Sequence, residues 1–142
     1  VNVDAAAMWQ VRGFDAVRWP AWIGFMAGFL YYGGQNGVAD TYGVNYGVFV
    51  KHALFPGRRL RLWGGYGLGA TQVWIRDLEG RGTGHYTRLS IGFDTHLKKW
   101  LHLNIEFSYR FFNLPTFKLS ETDSGGYDFH ALSVLTGFWF GR

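Results

Sequence analysis

The sequence predicts an all-β fold, an antiparallel up-and-down transmembrane β-barrel of about eight strands, formed by residues 1–142 as a single domain. Three observations carry that expectation. Aromatic residues make up 20% of the chain and charged residues 17%, with 21 glycines and no cysteine. No stretch approaches the about 18 consecutive apolar residues of a membrane-crossing helix. Apolar and polar residues instead alternate one for one along segment after segment, so each segment has one apolar and one polar face. A membrane barrel has this pattern because every second side chain points to the lumen.

The segment from Trp100 to Phe112 is the clearest strand. Leu101, Leu103, Ile105, Phe107, Tyr109 and Phe111 fall on one parity, and His102, Asn104, Glu106, Ser108 and Arg110 on the other. Thr87 to Leu97 repeats the pattern, and Lys98-Lys99 reads as the tight turn that makes the two a hairpin. Further strands follow from Ile23–Tyr31, Tyr42–Lys51, Leu60–Ala70 and Tyr127–Phe140. Gly recurs on the inward parity, where it leaves room for bulky side chains in a narrow lumen.

The connections alternate in length. Phe55 to Arg58 and Lys98-Lys99 are short, whereas Gly33–Asp40, Arg76–Gly84 and Asn113–Gly126 are longer and polar. Short turns at one rim and longer loops at the other are the barrel arrangement. Within the first twenty residues, Trp9 and Val11 against Gln10 and Arg12 predict one more strand, with Arg18-Trp19-Pro20 as a turn. The competing reading is a helix over Ala5–Trp9 capped by Asp4. The strand gives a count of seven, and bacterial single-chain barrels have even counts. One further strand before Val1 is the expected remedy.

The inward parity carries the candidate chemistry: Arg61, Arg88, Asp94, His96, His102, Asn104, Glu106 and Arg110. A barrel of about eight strands is just wide enough for side chains to fill, and isolated buried charges are very costly. A Glu106 cluster with Arg88 and Arg110 that plugs the lumen is therefore expected, ahead of an ion path. Trp22, Tyr31, Tyr32, Trp63, Trp74, Trp100, Tyr109 and Trp139 lie near strand ends, where an aromatic girdle would sit.

Other chemistries fare worse. His85 and Thr87 share an outward face and could act as base and nucleophile, but no carboxylate on that parity orients the His. His96 and His102 face each other across the hairpin, too few ligands for a metal site. The run Gly64-Gly65-Tyr66-Gly67-Leu68-Gly69 lies within a strand, which rules out a dinucleotide loop. The net charge of +4 is dispersed, so no nucleic-acid partner is expected, nor any cofactor. A soluble barrel with the apolar parity inward would leave too few charges for its outer surface.

With the strands placed, the chain resembles the small bacterial outer-membrane β-barrels of the OmpA/OmpX type. The likeness covers about residues 21–140: alternating segments with inward Gly, aromatics near strand ends, and an aromatic last strand at Gly137-Phe138-Trp139-Phe140. Gly141-Arg142 after the final aromatic departs from that pattern. The resemblance implies the outer membrane as location, with lipid (including lipopolysaccharide) as surroundings. It implies a structural, anchoring or interaction role through the outer loops. A narrow porin-like channel and a lipid-A-modifying enzyme are the alternatives.

Overall fold

Strict period-2 patterning makes each segment a two-faced ribbon that must pair on both edges to satisfy its backbone. The computed structural model describes residues 2–11, 21–33, 40–54, 60–76, 81–118 and 124–140. They form one seven-stranded antiparallel sheet in which each strand pairs with its sequence neighbours, and they contain no helix. The strands are β1 (Asn2–Val11), β2 (Ala21–Tyr32), β3 (Thr41–Ala53), β4 (Leu60–Ile75), β5 (Arg81–Lys98), β6 (Leu101–Lys118) and β7 (Ser124–Phe140).

The first ten residues are thus a strand, in full register with β2 from Asn2↔Leu30 to Val11↔Ala21. The helix over Ala5–Trp9 does not form; these residues instead pair with β2, from Ala5↔Ala27 to Trp9↔Ile23. β5, β6 and β7 are longer than the alternation predicts. Much of the loop expected over Asn113–Gly126 is strand: β6 runs on to Lys118 and β7 starts at Ser124. Likewise β5 starts at Arg81, inside the connection expected over Arg76–Gly84. Two irregularities hide this from a period-2 reading. The pairing slips between Thr83 and His85 and between Leu114 and Phe117. Pro115, which has no N–H for a ladder, sits in the second slip. The turn after β5 falls at Lys99-Trp100, one residue later than expected. The expected turns at Phe55–Arg58 and Arg18–Pro20 lie outside the described residues, as does most of Gly33–Asp40.

The sheet curls until side chains of β1 meet those of β5 and β6 across the interior. It does not close: β1 and β7 each pair on one edge only, and no eighth strand lies among the described residues. Inside, toward the β2–β3, β4–β5 and β6–β7 connections, Leu30, Tyr86, Phe112 and Phe129 pack together, and Val73, Leu114 and Phe117 form a second apolar cluster. Glycine on facing strands makes the room. A Cβ on Gly92 would lie 2.6 Å from the Trp63 ring, and one on Gly65 2.5 Å from Phe49.

Candidate functional site: a charged interior and an apolar outer belt

The polar parity lies inside the curl. Arg110 on β6 is fully buried, Arg88 on β5 is 3% exposed and Glu106 on β6 is 6% exposed. Such charges persist away from water only when each finds a counter-charge. Arg88 donates through Nε to Glu106 Oε1 at 2.9 Å and through Nη1 to Asp4 Oδ2 at 2.9 Å. Its Nη2 makes a second contact with Glu106, and Ser90 Oγ donates to the same carboxylate oxygen at 2.7 Å. Arg110 binds Asp4 through both terminal nitrogens. The Arg88 guanidinium also lies over the Phe49 ring, 4.9 Å from its centroid.

A second pair lies nearer the rim where β5 turns into β6. Lys51 Nζ donates to Asp94 Oδ2 at 2.7 Å, and Asn104 Nδ2 donates to Asp94 Oδ1 at 2.6 Å. The Lys51 ammonium sits 4.2 Å from the centroid of Trp63. Below it, His102 stacks on Trp139 at 3.6 Å, and its ring lies 4.1 Å from that of His96, which is exposed at the mouth. Arg61 lies over the Trp22 ring, 5.2 Å away.

The expected inward set therefore shares the interior, with different pairings. Glu106 pairs with Arg88, while the partner of Arg110 is Asp4. Asp4 and Lys51 are the residues that sequence reasoning missed. A signal was present: the inward parity carries four cations, Lys51, Arg61, Arg88 and Arg110, against two carboxylates, Asp94 and Glu106, so the interior needed another anion. Asp4 lies on the inward parity of β1 and supplies it.

The apolar parity faces out. Phe25 is 66% exposed, Leu68 62%, Phe107 51% and Val134 65%. This orientation is opposite to that of a soluble barrel with an apolar lumen. Register stacks the outward residues in rows: Leu89↔Tyr109↔Leu132, then Ile91↔Phe107↔Val134, then Phe93↔Ile105↔Thr136. Toward the β4–β5 and β6–β7 connections the belt ends in a polar row, His85↔Asn113↔Asp128. Asn113 Nδ2 donates to Asp128 Oδ1 at 2.7 Å, and the Tyr109 hydroxyl is hydrogen-bonded to His130 Nδ1. His85 and Thr87 do share the outward face, and Asp128 is a carboxylate on it. Among the described residues, no side-chain hydrogen bond joins these three.

The eight girdle candidates divide. Trp74, Trp100 and Tyr109 are exposed and Tyr31 is on the outward parity of β2. Trp63 is instead 1% exposed within the core, and Trp22, Tyr32 and Trp139 also lie on the inward parity. A ring near a strand end faces out only if its parity does, and these four have the wrong one. Among the described residues, no group of three or more metal-ligating side chains comes together. No family model, no curated protein and no solved structure matches the chain.

Proposed function

We propose that this chain is the wall of an outer-membrane β-barrel with a structural, anchoring or interaction role, its lumen blocked by ion pairs. The observation that carries the reading is the inversion of the two faces: charges buried and paired inside, apolar side chains exposed in continuous rows outside. Contiguous exposed apolar surface on this scale marks a surface made for a nonaqueous or protein environment. Lipid hydrocarbon solvates such a belt, and a polar row at its border suits the headgroup level. In this reading about eight strands close the wall, and the β2–β3, β4–β5 and β6–β7 connections face outward to lipid, including lipopolysaccharide, or to protein partners. Asp4, Arg88, Glu106 and Arg110 cross the interior from β1 to β5 and β6, which favours a plug over the porin-like alternative. No cofactor is required by this role.

The test is reconstitution into liposomes. The protein is expected to stay with the bilayer through an alkaline wash and to pass no steady ionic current. Solubility without detergent would refute the membrane reading, and a steady conductance would replace the plug with a channel.

A further inference from the structure

The two edges of the sheet run in the same direction. Six antiparallel pairings in succession separate β1 from β7, so the first and last strands are parallel to each other. An up-and-down barrel closes through antiparallel neighbours, and these two cannot be such neighbours. Among the described residues, the backbone groups on their outer edges have no ladder partner. In hydrocarbon each unsatisfied N–H or C=O costs several kcal/mol.

At the edges the interior opens into a cavity of about 690 Å³, walled by Asp4, Ala6 and Met8 on one side and Leu135, Gly137 and Trp139 on the other, and reaching inward to Phe49, Lys51 and Trp63. Its floor includes Asp94, Asn104 and Glu106. The packing inside changes at this place. A Cβ on Gly92 would strike Trp63, but a Cβ on Gly137 would meet no atom within 4 Å. The outer surface changes as well. In one row, Leu132 on β7 is 85% exposed and Tyr109 on β6 is 38% exposed.

We propose that the β1–β7 seam takes up one extended strand from outside residues 2–140, antiparallel to both edges. The proposal rests on the barrel reading and deepens it. The segments between consecutive strands hold at most nine residues, fewer than the ten that a strand matching β1 needs, so none of them supplies it. A second copy in the same membrane orientation offers edges that are again parallel. A lipid or detergent chain covers apolar rims but leaves the backbone groups unpaired. A strand satisfies both edges at once. Its chemistry follows from the walls: apolar side chains outward beside Val134 and Phe138, and one bulky side chain inward opposite Gly137. A polar tip on that side chain meets Asp94 and Asn104. To match β1 it needs ten residues.

The probe is a synthetic peptide of about ten residues, alternating Val or Leu with Gly or Thr and carrying Tyr at a central inward position. Amide hydrogen exchange is read by NMR on the protein in detergent micelles. The peptide is expected to slow exchange about tenfold or more at amides of β1 and β7 that point away from β2 and β6, with β3–β5 unchanged. A peptide of the same composition with the alternation shuffled is expected to do nothing. Gly137→Trp fills the open space from the protein's side. It should weaken peptide binding while leaving the unfolding midpoint in place. Edges already protected without peptide, protection absent with it, or equal protection by the shuffled peptide each overturn the proposal. Failure to enter bilayers would bring down the barrel reading. Bilayer insertion with unaltered edge exchange would bring down the seam proposal alone.

Discussion

The β5–β6 side and the β1–β7 side of the sheet share one alternating pattern but have different surroundings. On the β5–β6 side, β5 and β6 have a neighbour on each edge, and Arg88, Glu106 and Arg110 are each ion-paired and nearly inaccessible. Glycine there is crowded, as at Gly92. On the β1–β7 side, an edge of each strand is unpaired, Ala6 is exposed although it points inward, and Gly137 faces open space. Alternation alone therefore does not make a barrel interior. Most inward residues of the doubly paired β5 and β6 are buried, and most of those on the singly paired β1 and β7 are not.

Substitutions should expose that difference. The largest effect is expected at the ion-paired centre. Arg110→Met removes a fully buried partner of Asp4 and should cost about 3–5 kcal/mol in denaturant unfolding from detergent micelles. Adding Asp4→Leu should return much of the loss, since Arg88 and Glu106 remain a balanced pair. A double variant no better than the single one would mean that packing, rather than charge pairing, holds the centre. Next comes the outer belt. Phe107→Arg should destabilise the bilayer-embedded protein by about 2–4 kcal/mol, the cost of a cation near the bilayer midplane. The same change should matter far less in a fully aqueous setting, so equal effects in both would argue against the belt as a lipid surface.

Smaller differences follow from the glycines. Gly92→Leu drives a side chain into Trp63 and should cost about 1–3 kcal/mol by overpacking. Gly137→Ala places a methyl in open space and should stay within about 0.5 kcal/mol of the parent. A large loss at Gly137, measured in the same unfolding assay, would show that the seam is tightly filled.

Some of this was legible from residues alone. The outward set of β6, from Leu101 to Phe111, and the inward set from His102 to Arg110 sit on the faces that their parity dictated. Strand pairing could be read the same way, because short turns leave a hairpin no other neighbour. The ends of β5 and β6 could not be read. A bulge resets the parity, and a Pro within it mimics a loop. The aromatic residues misled for a related reason. Trp63 and Trp139 lie near strand ends, yet facing glycines and a stacking imidazole hold them inside.

The sequence by itself determined the β class, the strand faces and the inward charges, because period-2 patterning acts locally. Only the tertiary structure decided which charges pair. Asp4 and Arg110 are joined by the curl of the whole sheet, 106 positions apart along the chain, and no local pattern records that distance. The same curl left β1 and β7 parallel and unpaired, because seven alternating strands bring two like-directed edges to one seam. The barrel that the alternation predicts is therefore an open wall in the structure, with an ion-paired interior and an unpaired edge.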